Sequence, residues 1–236
     1  MRTFIAITLA ALTATAAPAA GPAAAADTFK PSVAVQAAIA RPMDALDTAL
    51  KADAALPPPA SDRERLERMG RIDQSWRRYM GEVKVDGLSR EDAAAFAEVA
   101  ARTEPVDRAH LDRLLAMLPS EGWFSFSAYG REAATAAFHI VQHGDVATMK
   151  ALLPALEAMA KRGEADRGSF AAMHDRVQVA QGRPQRFGTQ FRCVDHRPQP
   201  YPLEDASRVE ALRAEMDVRP RFDEHLRGLA ERDVRC

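Results

Sequence analysis

The chain has 236 residues, 47% of them hydrophobic, which is enough to enclose a substantial core in one globular domain. Lys and Arg total 32 against 33 Asp and Glu, a formal net charge of -1. Such a balance supplies no field to hold a polyanion, so nucleic acid is excluded as a partner. The N-terminus reads as an export signal over residues 1–26. Arg2 gives the positive start, Phe4 to Ala14 an apolar run too short to span a bilayer, and Ala16, Ala20 and Ala26 small-residue cleavage positions. Cleavage is expected after Ala26. No other apolar stretch approaches transmembrane length, so the mature chain is expected to be soluble, periplasmic or secreted, with no membrane span.

Residues 27–60 read as an Ala- and Pro-rich appendage, a weak helix broken near Pro42 and stopped at Leu56-Pro57-Pro58-Pro59, where consecutive prolines lack donors. Residues 61–236 read as one helical domain. Ser61 caps a helix to about Met80 whose apolar stripe is Leu66, Met69, Ile72, Trp76 and Met80. At 100° per residue Asp73 and Arg77 fall inside that stripe, either as an ion pair holding helices in register or as a ligand-facing pair. Residues 81–87 read as a loop, and Ser89-Arg90-Glu91-Asp92 as a variant capping box opening a helix through Phe96 and Val99. Pro105 restarts a helix carrying Leu111, Leu114, Leu115 and Leu118.

A loop from Pro119 to Ser127 holds Trp123, Phe124 and Phe126, read foremost as a lid on the core. The helix from Ala128 to His143 carries Ala133, Ala136, Ala137 and Ile140 on a face narrow enough for close helix approach. Gly144 ends it and Asp145 caps the next, with the stripe Val146, Met149, Leu152, Leu153, Leu156 and Met159 and a kink at Pro154. After Gly163, Asp166 or Ser169 opens a helix with Phe170, Met173, Val177 and Ala180 inward. Beyond Gly182 the pattern changes. Residues 185–194 alternate like a short strand, and Arg197-Pro198-Gln199-Pro200 reads as the turn of a small β-hairpin. Glu204-Asp205 starts an amphipathic helix through Val209, Leu212 and Met216, and Pro220 a closing one through Phe222, Leu226 and Leu229. The expected fold is mainly α, antiparallel helical hairpins in a bundle, with one small C-terminal β-hairpin.

Three polar knots interrupt these elements: Gln142-His143-Gly144-Asp145, His174-Asp175-Arg176 and Gly182 to Gln190, GRPQRFGTQ. His139 and His143 stand four apart on one helix, a spacing that suits a metal, but Ile140 occupies the place where a zinc protease keeps its Glu. His143, Asp145, His174 and Asp175 contain the donors of a His/carboxylate centre, yet Asp175 projects from the helix side opposite Phe170 and Val177. No metal and no cofactor is therefore expected. No nucleophile motif and no phosphate-cradling glycine loop is present. The catalytic candidates are His143, Asp145 and Asp175 in acid/base roles. The ligand-binding candidates are Asp73, Gln74, Arg77, Trp123, Gln142, His143, Arg176, Gln185, Thr189 and Gln190. The amides and hydroxyl of GRPQRFGTQ have two readings: they satisfy buried backbone groups, or they orient a small polar ligand. In an oxidising compartment Cys193 and Cys236 are a candidate disulfide, against two free thiols or an intermolecular bond through Cys236.

Leu66-x-x-Met69 with Asp73-Gln74-x-x-Arg77, Gly122-Trp123, Gly130 with Ala133, Gln142-His143-x-Asp145, Asp175-Arg176, Gly182-Arg183-Pro184-Gln185-x-Phe187-Gly188-Thr189-Gln190 and Pro202-x-Glu204-Asp205 occur in that order. Between about Asp62 and Leu226 the chain resembles a bacterial domain family of unknown function with the ordered signature DQxxR, GW, QHxD, DR and GxPQxYGTQ. It departs at Phe187, where Tyr is usual, at Phe124, where Pro follows the Trp, and at Asp217-Val218, where Gly-Leu is usual. The resemblance implies a mainly helical domain and carries no activity. Two functions are expected from the residues: binding of a small polar ligand or an envelope protein at one site where the polar groups converge, or hydrolysis through His143 with Asp145 or Asp175, with or without a metal.

Overall fold

In the computed structural model, residues 32–80, 90–195 and 197–231 are described. The signal segment, the Ser89 capping box and Cys236 lie outside them, and with Cys236 so does the disulfide candidate. The described residues form helices α1 (Val33–Ala54), α2 (Asp62–Met80), α3 (Arg90–Ala116), α4 (Phe126–His143), α5 (Val146–Lys161) and α6 (Arg167–Ala180). Strands β1 (Phe191–Val194) and β2 (Arg197–Pro200) follow, then α7 (Val209–Glu215) and α8 (Phe222–Glu231). The protein is thus mainly helical with one small antiparallel hairpin near its C-terminus. No helix among the described residues is long and apolar enough to cross a membrane.

Short polar side chains start the helices by accepting otherwise orphaned backbone N–H groups. Ser61 Oγ accepts from Glu64 N at 3.1 Å while the Glu64 carboxylate accepts from Ala60 N at 2.8 Å, a reciprocal cap. Ser125, Asp145 and Asp166 accept from Ala128 N, Thr148 N and Ser169 N. Apolar stripes then close the core. Leu66, Leu114, Phe124, Val141, Met149, Leu156 and Met173 are all buried in one cluster. α2 and α4 approach closely, since a Cβ on Gly70 would stand 2.4 Å from the Ala136 Cβ. The small-residue face of α4 meets the one position of α2 that has no side chain.

Several expectations are corrected. Pro42 does not break α1, which runs through it, and residues 33–54 pack on α2 with Leu46 buried against Ile72 and Trp76. Pro105 does not restart a helix either: α3 is continuous through it. In both places burial on each side of the proline outweighs the roughly 3 kcal/mol that an interior proline costs. Leu115 is exposed. The hairpin turns at Asp195, φ 48°, so residues 197–200 form its second strand and not its turn, and residues 185–190 are a loop. Asp205 accepts from Ser207 N in a turn ahead of α7, which begins only at Val209.

Candidate functional site

The inward position of Asp73 on α2, read from its phase within the apolar stripe, is its position in the fold: the side chain is 1% exposed. Arg77, one turn on, donates Nε to Asp73 Oδ1 at 3.0 Å, and Gln74 Nε2 donates to Oδ2 at 2.6 Å. From the end of α4, His143 Nδ1 lies 3.0 and 3.1 Å from the two carboxylate oxygens. Burial opposes ionisation of Asp73, yet the His143 hydrogen bond and the Arg77 and Gln74 donors hold its pKa down from 3.8 to about 2. An ionised carboxylate has no proton to give, so His143 Nδ1 is the donor, which leaves Nε2 as the open position of the ring.

Helix α3 and a second histidine of α4 complete this centre. Arg77 also pairs with Asp107 of α3 and lies 4.1 Å over the Trp76 ring. His139, one turn before His143, stacks near it with ring centroids 6.3 Å apart, and burial lowers its pKa. Burial likewise lowers that of His110, on the Asp107 face of α3. Among the described residues three buried polar atoms lack a hydrogen-bond partner, Trp76 Nε1, Asp107 Oδ1 and His110 Nδ1, and all belong to α2 and α3 around this centre. A cleft of about 540 Å³ opens beside it, lined by His143 with Asp107, Arg108, Asp112, Gly144 and Asp145 among others.

The second polar centre is built differently. Asp175 of α6 is fully buried and accepts from the backbone of GRPQRFGTQ: Arg186 N at 2.8 Å, Phe187 N at 3.1 Å and Thr189 N at 3.0 Å. The Thr189 hydroxyl adds a fourth donor at 3.0 Å, and His174 Nδ1 a fifth at 3.3 Å. Burial opposes ionisation, but His174 and these backbone donors hold the carboxyl below its ordinary range. Gln185, also fully buried, donates Nε2 to Gln190 O and Tyr201 O and accepts from Gln190 N. Gly188, at φ +67°, lets the loop pass the Phe222 ring, which would stand 2.5 Å from a Cβ there. Buried Arg213 of α7 closes the loop from outside by donating to Phe187 O at 2.6 Å.

A family model matches residues 59–233 of the 236. The chain belongs to DUF6624, a family of unknown function. No curated protein and no solved structure matches it.

This DUF6624 domain therefore places the sequence candidates in two groups, and no hydrogen bond joins them. Asp73, Gln74, Arg77 and His143 meet in one; Asp175, Gln185, Thr189 and Gln190 in the other. Where one conjoined polar network was expected, the described residues form two hydrogen-bonded sets. Asp145 stands by the His143 cleft, but its two oxygens accept from Thr148 N and Thr148 Oγ1 as the cap of α5. Trp123 is buried in the core, as the lid reading expected. Gln142 is half-buried beside His143, and Arg176 is half-buried on α6 without an ion pair to a described residue. No set of three His, Cys, Asp or Glu side chains among the described residues is arranged to hold a metal ion. Asp107, His110 and Arg213 were missed. Residues 107, 110, 111 and 114 share one helical face, the same sign that exposed Asp73 and one that could have found Asp107 and His110.

Proposed function

We propose that this chain is an exported helical domain that binds a small polar ligand in the cleft beside His143. One observation carries the reading: a buried carboxylate, Asp73, fixes a histidine that is itself 20% exposed at the cleft. Ring orientation is set before any ligand arrives, which removes an ordering cost from binding. The cleft volume suits a small molecule, and its lining is polar. A thermal-shift screen of small polar metabolites tests the reading. A hit should raise the melting temperature of the native chain and lose that effect in His143→Gln; an equal shift in both proteins would refute it. Export is supported by the Arg2 start and the apolar run from Phe4 to Ala14. Cell fractionation with N-terminal sequencing should find the mature chain outside the cytoplasm, and an intact N-terminus in the cytoplasm would end that part.

One geometric detail supports a second reading. A carboxylate on Nδ1 leaves Nε2 to take a proton, as a general base for attack by water requires. Asp73 would be its orienting partner, since the Asp175 oxygens are fully occupied and those of Asp145 cap a helix. In a hydrolase panel, activity should fall about 100-fold or more in His143→Gln. Undiminished activity would sink this reading.

A further inference from the structure

The lining of the His143 cleft is predominantly acidic. It carries four carboxylates, from Glu104, Asp107, Asp112 and Asp145, against one guanidinium, Arg108. That guanidinium is spent inside the set, since Arg108 Nη2 donates to Glu104 Oε1 at 2.9 Å. Asp107 takes Arg77 on Oδ2, but Arg77 also serves Asp73, so one cation stands between two carboxylates. Asp107 Oδ1 is buried without a donor. Asp112 is exposed and has no hydrogen bond or ion pair to a described residue. Hydrogen bonds from Thr148 hold the Asp145 carboxyl below its ordinary range. The cleft between α1 and α2, of about 930 Å³, contrasts with this one: Gln74 lines it together with Arg41, Arg68, Arg71 and Arg78, against Asp44 and Asp53. A carboxylate-rich lining is therefore particular to the His143 side.

The fixed histidine adds a directional preference. Its Nδ1 faces Asp73, so Nε2 of the neutral ring is an acceptor on the exposed edge. An acceptor among carboxylates is matched by N–H donors that carry positive charge. A metal ion is a poor match, because no three His, Cys, Asp or Glu side chains among the described residues are arranged to hold one. A quaternary ammonium is another, since it has no N–H and no aromatic side chain lines the cleft to cage it. Leu111 in the wall offers apolar surface to a short alkyl chain. We infer that the ligand of the His143 cleft is a small organic cation with N–H donors, an alkylammonium or a guanidinium. One N–H goes to His143 Nε2, and the charge lies among Asp107, Asp112 and Asp145. The inference rests on the reading of that cleft as a ligand site.

Calorimetric titration of the chain at about pH 8, where an ordinary imidazole is neutral and an alkyl amine charged, tests it. The probes are putrescine, methylguanidine, tetramethylammonium and succinate. Saturable binding of putrescine or methylguanidine is expected at physiological ionic strength, and the tighter of the two identifies the cation. Tetramethylammonium, which has charge without donors, should bind at least about tenfold more weakly. His143→Gln should weaken binding about tenfold and Asp112→Asn severalfold. Asp112 is exposed, so Asp112→Asn should melt like the native chain, which keeps the test decisive should His143→Gln lose stability. No binding of either N–H cation, equal affinity in Asp112→Asn, or equal affinity for tetramethylammonium would overturn the inference. Succinate bound by the native chain in place of the cations, and lost in His143→Gln, would overturn it while leaving the cleft a ligand site, so the two readings fail separately.

Discussion

Replacing Asp175 with Ala should be among the most damaging single changes in this domain. The carboxylate takes the backbone N–H groups of Arg186, Phe187 and Thr189 and the Thr189 hydroxyl, all within 3.1 Å. Each buried donor left without an acceptor costs about 1 to 3 kcal/mol. Three stranded amides set a naive range of about 3 to 9 kcal/mol, and partial opening of the loop to water should reduce it to roughly 3 to 5 kcal/mol. That is a large share of the roughly 5 to 15 kcal/mol that holds a domain together. For a domain of this size it lowers the melting temperature by on the order of 10 °C. Asp175→Asn should fall between the two proteins, because it keeps one acceptor oxygen and turns a second donor toward donors. Circular-dichroism melts give the shift, and hydrogen exchange should quicken at residues 186, 187 and 189. Should Asp175→Ala melt within about 2 °C of the native chain, the loop would not depend on this carboxylate and the reasoning fails.

Two other outcomes follow from the geometry. The Asp73 pKa is depressed from 3.8 to about 2, so its contribution to stability is present above pH 4 and disappears as pH falls through about 2. The depression is worth roughly 2 kcal/mol, and urea unfolding across acid pH should show that much less acid sensitivity in Asp73→Asn; identical pH curves would contradict it. Gly70→Ala sets a Cβ 2.4 Å from that of Ala136 and should cost about 1 to 3 kcal/mol, with Ala136→Gly in the same chain restoring most of it. Additive losses in the double variant would show that the two helices do not meet there.

Helical phase carried much of this structure. Leu66, Met69, Ile72 and Trp76 defined a stripe, and Asp73 inside it is buried as that phase requires. The same rule applies to Asp107 and His110, which share a face of α3 with the buried Leu111 and Leu114. Proline is a local signal, and here the burial of Val99 and Leu111 on either side of Pro105 decides. Helical phase said less about Asp175. Phase puts it on the side of α6 away from Phe170 and Val177, yet the side chain is fully buried because the loop after Gly182 folds back over it. A phase argument tells which residues share a face and says nothing of whether a later loop covers the opposite one. The loop was read as a strand because alternation over residues 185–194 does not distinguish a pleated run from a chain whose amides converge on one carboxylate.

The two buried carboxylates also differ in a way that separates a scaffold from a site. Backbone amides of the loop surround Asp175, and they cannot leave it without unravelling the loop, so no ligand competes for that carboxylate at tolerable cost. Around Asp73 the donors are the side chains of Gln74, Arg77 and His143, each of which has somewhere else to go. Arg77 already shares itself with Asp107, Gln74 also lines the α1–α2 cleft, and His143 reaches the other cleft. Side-chain donors exchange partners by rotation about a few bonds, which lets binding at the surface alter the hydrogen bonds of a buried charge. The neighbourhood of Asp73 also holds all three unpartnered buried polar atoms found among the described residues. Incomplete satisfaction is costly in a scaffold and useful beside a ligand, and this difference is the reason for proposing a ligand site at the Asp73 centre and not at Asp175.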